Sequence, residues 1–308
     1  MYWEDMREEE FPIAIANCGG LCILPLSSME KKGQYLPVAA DGFIADSIIK
    51  EALKLEDAVV FPTGKWLGDV CMFDDVMPGE KPKRKGAIEL SQDLQITVLQ
   101  ELCDEIGRNG FRKILIVYKQ PGNAYLLGHF MRCMAARRSP YATICVDAVN
   151  PEKSSPENVL KTVLERRSDF PMITDEDIKT LEQWAEKGYG GSNETYAPSG
   201  YTGSSATFCD TALVMAEHAD LVAEDRFDAE DYQSTHMGDH LSQMGVMFAN
   251  MWNMNYPNGY AGFPPHGCTK SIGEAILKIN AEHLANILHV LKKDEECVNI
   301  DARSPIIR

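Results

Sequence analysis

Three stretches of this 308-residue chain bring together side chains able to do acid-base, ion-pair or metal chemistry. The first, Ser27-Ser28-Met29-Glu30-Lys31-Lys32-Gly33-Gln34-Tyr35-Leu36-Pro37-Val38-Ala39-Ala40-Asp41, sets carboxylates and ammonium groups a few residues apart. Alone, the triplet Glu30-Lys31-Lys32 reads as an exposed loop ion pair of little consequence, and Asp41 beside Gly42 as a helix cap. The second is Tyr118-Lys119-Gln120-Pro121-Gly122-Asn123, directly after an apolar run. The third, His236-Met237-Gly238-Asp239-His240, spaces two imidazoles at i and i+4, which share a face if the segment is helical; Gly238 argues against that helix. Tyr118, Tyr201, Trp66, Trp252 and Tyr260 fall in or beside irregular segments, where aromatic rings either wall a pocket for a flat or cyclic ligand or fill the core.

Short apolar runs alternate with amphipathic stretches, the pattern of an α/β protein with a largely parallel sheet. Strands are expected at residues 21–26, 58–61, 114–117 and 142–146. Helices are expected at 42–55, over 94–102 with Ser91 as N-cap and Gly107 or Gly110 near the end, at 209–218 and at 271–291. The last has Ile272, Ile276, Ile279, His283, Ile287 and Val290 near one face. Residues 151–188 carry two charged helical patterns, expected at the periphery, and 188–206 is a loop rich in Gly, Ser and Tyr. With no repeat, low-complexity tract or linker in view, one domain over 1–308 is expected. In open parallel sheets ligands gather at the carboxyl ends of the strands, and the first two reactive stretches both follow expected strands.

Composition narrows the function. Asp and Glu number 46 against 30 Lys and Arg, a net charge of −16 that argues against a phosphate-backbone partner. No apolar run reaches the length that spans a bilayer, and the opening Met1-Tyr2-Trp3-Glu4-Asp5 lacks the basic flank and apolar stretch of an export signal. The nine cysteines are scattered without a CxxC pair, which suits buried, reduced thiols in a cytoplasm. The run Met244, Met247, Met251, Met254 has helical spacing and suits packing, including at a subunit interface.

Four colinear motifs make the sequence resemble the creatininase (creatinine amidohydrolase) family. That family's first motif reads roughly L-P-x-G-S-x-E-x-H-G-x-H-L-P-x-x-x-D, and Pro25, Ser28, Glu30, Gly33, Leu36, Pro37 and Asp41 match it without a gap. Its N-G-H-G-G-N motif aligns with 118–123 and keeps Gly122 and Asn123. A third motif aligns with 205–212, and a fourth with Gly259-Tyr260-Ala261-Gly262-Phe263-Pro264 and then Gly273, so the resemblance covers about 22–291. It implies a three-layer α/β/α sandwich, a hydrolase of small cyclic or carbonyl substrates, and a homo-oligomer, typically a hexamer.

The departures from the family pattern carry as much as the matches. Where the family places metal-binding and catalytic histidines, this chain has Lys32, Gln120 and Ser205. A protonated lysine cannot ligate a metal and repels one. The resemblance then leaves Glu30, Asp41, Asp210 and the carbonyl oxygen of Gln120, an all-oxygen set suited to one hard cation such as Mg²⁺, Mn²⁺ or Ca²⁺ in preference to Zn²⁺. Its rival is a metal-free site in which Lys32 supplies the positive charge and serves as acid, base or carbonyl polariser. Catalysis is thus assigned to Lys32, Glu30, Gln120 and Asp210, and substrate contact to Tyr118, Asn123, Ser205 and Tyr201. One substrate compatible with lost Lewis-acid help is a diketo-inositol, as for a 3-dehydro-scyllo-inosose hydrolase. The second function carried is a catalytically silent protein of the same fold that binds a small molecule or a partner.

Overall fold

In a computed structural model the chain is described over residues 1–69, 85–120, 122–186, 207–231, 234–246, 254–258 and 265–298. Strands β1 (Leu21–Leu26), β2 (Val59–Val60), β3 (Lys113–Tyr118) and β4 (Ala142–Asp147) form one parallel sheet in the order β2-β1-β3-β4. β1 runs beside β3 from Leu21 opposite Lys113 to Leu26 opposite Tyr118, and Tyr118 in turn lies opposite Asp147 of β4. Three strand ends thereby finish at one level.

Alternate side chains of a strand face opposite ways. Leu21, Ile23, Leu115 and Val117 therefore enter one core, and Cys22, Leu24, Leu26, Ile114 and Ile116 the other. The first core is closed by α2 (Ala40–Ala52), α5 (Pro156–Glu165), α6 (Asp175–Glu186), α7 (Phe208–His218) and α9 (Lys270–Lys293). The second is closed by α1 (Phe11–Asn17), α3 (Gln92–Arg108) and α4 (Gly122–Ala135). Helices thus cover both faces, the expected α/β/α layering. α9 and α7 come close at Gly273, where a Cβ would meet the Ala212 carbonyl oxygen at 1.8 Å. No helix among the described residues is long and apolar enough to cross a membrane.

Several local expectations are corrected. The strand expected at 58–61 is only Val59–Val60. α2 begins at Ala40 behind Ala39 as N-cap, so Asp41 lies inside the first turn and does not cap it. α5 and α6 are not merely peripheral, because Val159, Val163, Leu181 and Trp184 are buried in the first core. On α9 the expected apolar face holds through Ile279, but Val290 is 54% exposed near the helix end. Cys145 is exposed, since β4 is the sheet's outer strand among the described residues. Met244 is also exposed; Met247 and Met251 lie outside the described residues.

Candidate functional site

Four segments converge where the parallel strands end. The loop after β1 carries Glu30 and Lys32 and leads into α2 with Asp41 in its first turn. β3 delivers Lys119 and Gln120 before α4 begins at Gly122. β4 ends on Asp147, and the first turn of α7 presents Asp210. The triplet at 30–32 is not an exposed ion pair: Glu30 and Lys32 are buried, and Lys31 turns outward to Glu230 at 2.5 Å.

The charges alternate along one chain of contacts. Lys32 Nζ lies 2.9 Å from Glu30 Oε1 and 2.9 Å from Asp41 Oδ2. Lys119 Nζ lies 3.9 Å from Asp41 Oδ1 and 3.1 Å from Asp210 Oδ1. Lys32 and Asp41 are each about 1% exposed. Among the described residues neither oxygen of Asp41 has a partner in hydrogen-bonding geometry, and what faces it is the charge of the two lysines. The buried hydroxyls of Ser28, at the start of the first loop, and of Thr211, next to Asp210, likewise lack hydrogen-bond partners among the described residues.

Gln120 is pinned on both sides. Its Nε2 donates to Glu30 Oε1 at 3.3 Å, and its Oε1 accepts from the Asn123 N–H at 3.0 Å. The backbone reaches this arrangement at φ +94°, in the left-handed region that non-glycine residues rarely enter. A Cβ at Gly122 would come within 2.8 Å of Gln120 Oε1, so a larger residue there would push the amide aside from its contacts. Asn123 braces the neighbouring loops, accepting from the Asp69 N–H at 2.7 Å and donating to the Lys119 carbonyl at 2.8 Å.

Burial and neighbouring charge set the protonation of the cluster. Burial pushes the Asp41 carboxyl up, and the ammonium groups of Lys32 and Lys119 oppose the shift. Burial alone would lower Lys119, but Asp210, Asp41 and Asp147 outweigh it, so this lysine is held above its usual range and stays charged. Asp147 is pushed up to about 6, chiefly by burial, with Lys119 and the Val149 N–H pulling the other way. Tyr118 is pushed up to about 12 by burial and then by Asp147. The phenol beside the site is therefore a neutral donor near neutral pH.

Of the residues expected at the site, Glu30, Lys32, Asp41, Gln120 and Asp210 come together. Tyr118 is half-buried at the end of β3 beside them. Tyr201 and Ser205 lie outside the described residues, as do Trp252, Tyr260 and the fourth motif at 259–264. The histidine pair does not share a helical face. His236 sits at φ +58° before the four-residue helix α8 (Asp239–Ser242) and pairs with Asp239 at 2.7 Å. The helical path is broken at His236 itself, while Gly238, expected to weaken the helix, is the N-cap of α8. Lys119 and Asp147 were missed by sequence reasoning, although a charged residue ending an otherwise apolar strand run was a readable signal at both.

The residues as arranged do not fit the expected hard cation. Each carboxylate of the set Glu30, Asp41 and Asp210 has a lysine ammonium at about ion-pair distance, and the Gln120 oxygen already accepts from Asn123. An ammonium in that position fills the space of a cation and repels a second one. Among the described residues no group of three or more His, Cys, Asp or Glu is placed to hold a metal ion.

A protein-family model described as "Creatininase: Creatinine amidohydrolase" matches residues 4–288. Among solved structures, a creatinine amidohydrolase (creatininase) superposes with a TM-score of 0.65 at 13% identity, over 95% of this chain and 98% of that one. A structure described as "Creatininase Mn" gives 0.63 at 13% identity, over 95% and 99%. A putative creatinine amidohydrolase from Bacteroides fragilis gives 0.59 at 17% identity, over 90% and 91%. No curated protein matches the chain.

Proposed function

The chain belongs to the creatininase family, and from that premise we propose that it is a hydrolase that opens a small cyclic or carbonyl substrate at the Glu30–Lys32–Asp41–Lys119–Asp210 cluster. The single observation that carries the reading is the buried Lys32 ammonium held 2.9 Å from both Glu30 and Asp41 at the carboxyl ends of the strands. A cation fixed in a water-poor site stabilises oxygen charge that develops in a transition state far better than one in bulk water.

In this reading Lys32 and Gln120 stabilise the oxyanion, and Glu30, Asp41 or Asp210 takes the proton of the attacking water. A substrate whose carbonyl is already electrophilic needs the least Lewis-acid help. A diketo-inositol, the substrate type of a 3-dehydro-scyllo-inosose hydrolase, meets that condition. Water adds to one carbonyl carbon, the ring bond beside it breaks, and the electron pair passes into an enolate of the second carbonyl, which then takes a proton. The product is a ring-opened carboxylate.

The test is turnover of purified protein on creatinine, small lactams and a cyclic diketone, followed by nuclear magnetic resonance of the opened ring. Lys32→Met, which removes an oxyanion donor, and Asp41→Asn, which removes a candidate base and the shared counter-charge of both lysines, should each lower the rate at least about 100-fold in protein checked for folding by circular dichroism. A second reading, a catalytically silent binder, draws on the mutual pairing of the cluster's charges. It is the outcome if ligands bind to the wild-type protein and no ring opens.

A further inference from the structure

Asp41 is a buried carboxylate whose two oxygens face two different cations, Lys32 at Oδ2 and Lys119 at Oδ1. Each lysine has a second carboxylate of its own, Glu30 for Lys32 and Asp210 for Lys119. The order Glu30–Lys32–Asp41–Lys119–Asp210 is thus acid, base, acid, base, acid, with the central acid shared. These groups come from three separate segments of chain, the loop after β1 into α2, the end of β3 and the first turn of α7, so the sequence around any one of them does not create the arrangement. All five side chains are at most about 8% exposed, where an uncompensated charge is costly.

A carboxylate shared by two cations, each held by a further carboxylate, is the charge arrangement of a two-cation site. Here both cations are covalently part of the protein. Asp41 shows this most directly, since among the described residues neither of its oxygens is held in hydrogen-bonding geometry and each faces an ammonium group.

We propose that Lys32 and Lys119 are the resident cations of this site, standing where two divalent ions would otherwise share Asp41, and that the folded protein binds no divalent cation there. The proposal deepens the hydrolase reading by fixing the source of positive charge, and it rests on the same site. It also narrows the substrate class. Fixed ammonium groups hydrogen-bond and polarise a carbonyl oxygen but do not generate a metal hydroxide, so the substrate must bring its own electrophilic carbonyl.

The test uses no substrate, so its failure and the failure of the hydrolase reading are separable. Wild-type protein purified from medium supplemented with manganese and zinc is assayed for metal by mass spectrometry. Its melting temperature is then measured with added Mn²⁺, with added Zn²⁺ and with chelator. The expected result is less than one equivalent of metal spread over the preparation and a melting temperature that none of the additions moves. A stoichiometric divalent ion whose removal by chelator lowers the melting temperature overturns the proposal. The Lys32→Met protein should melt lower by about 6–10 °C near neutral pH, the loss expected when one partner of a buried pair is removed. A melting temperature unchanged from wild type overturns the proposal. If Lys32→Met yields no folded protein, the double variant Lys32→Met/Asp41→Asn, which removes one cation and one anion together, should restore folding. Failure of the double variant to fold also overturns it.

Discussion

Glu30 and Gln120 lie 90 residues apart and are joined by a 3.3 Å hydrogen bond from the Gln120 amide to the Glu30 carboxylate. The bond depends on Gln120 holding φ +94°, a conformation that costs an L-residue about 1–2 kcal/mol and a glycine little. The site therefore keeps a strained backbone so that one side chain can reach both the first loop and the start of α4.

Two truncations of Gln120 separate strain from bonding. Both Gln120→Ala and Gln120→Gly lose the contacts to Glu30 and to the Asn123 N–H, but only glycine relaxes the backbone. In urea denaturation the glycine variant should be the more stable of the two by about 1 kcal/mol. Equal stabilities would show that the backbone at this position stores no strain.

Asp147 should leave a signature in the pH dependence of stability. Its carboxyl is raised from 3.8 to about 6 in the folded state. The folded protein therefore holds a proton that the unfolded chain has released between these values. Its contribution is full below the unfolded pKa and is lost as pH rises through about 6, an effect of at most about 3 kcal/mol before any allowance for partial exposure. Asp147→Asn keeps the oxygen that accepts from the Val149 N–H and cannot titrate. The stability of wild type relative to this variant should fall between pH 4 and pH 6.5; parallel curves would rule out the shift.

The approach of α9 to α7 positions Asp210 and should not tolerate a methyl group. Gly273→Ala places a Cβ against the Ala212 carbonyl oxygen, backbone against backbone, with no side chain able to move aside. Overpacking of this kind costs about 1–3 kcal/mol, read as a lower denaturation midpoint. An unchanged midpoint would mean that the two helices separate freely.

The sequence by itself determined the layering. β1 and β3 are continuous apolar runs, which is how strands covered on both faces read, and the expected strands lie within about two residues of those found. It also marked Glu30, Lys32, Asp41, Gln120 and Asp210 through the spacing of the family motifs. Only the tertiary structure decided what Lys32 does. In sequence it sits in an ordinary charged triplet; in space the loop after β1 sends Lys31 to Glu230 and buries Lys32 between two carboxylates. Lys119 went unread for the same reason. Its partners Asp41 and Asp210 lie far away along the chain and meet it only because parallel strands end at one level. Local pattern records which face of an element is apolar, but the pairing of buried charges depends on the distances between elements, and those are set by packing.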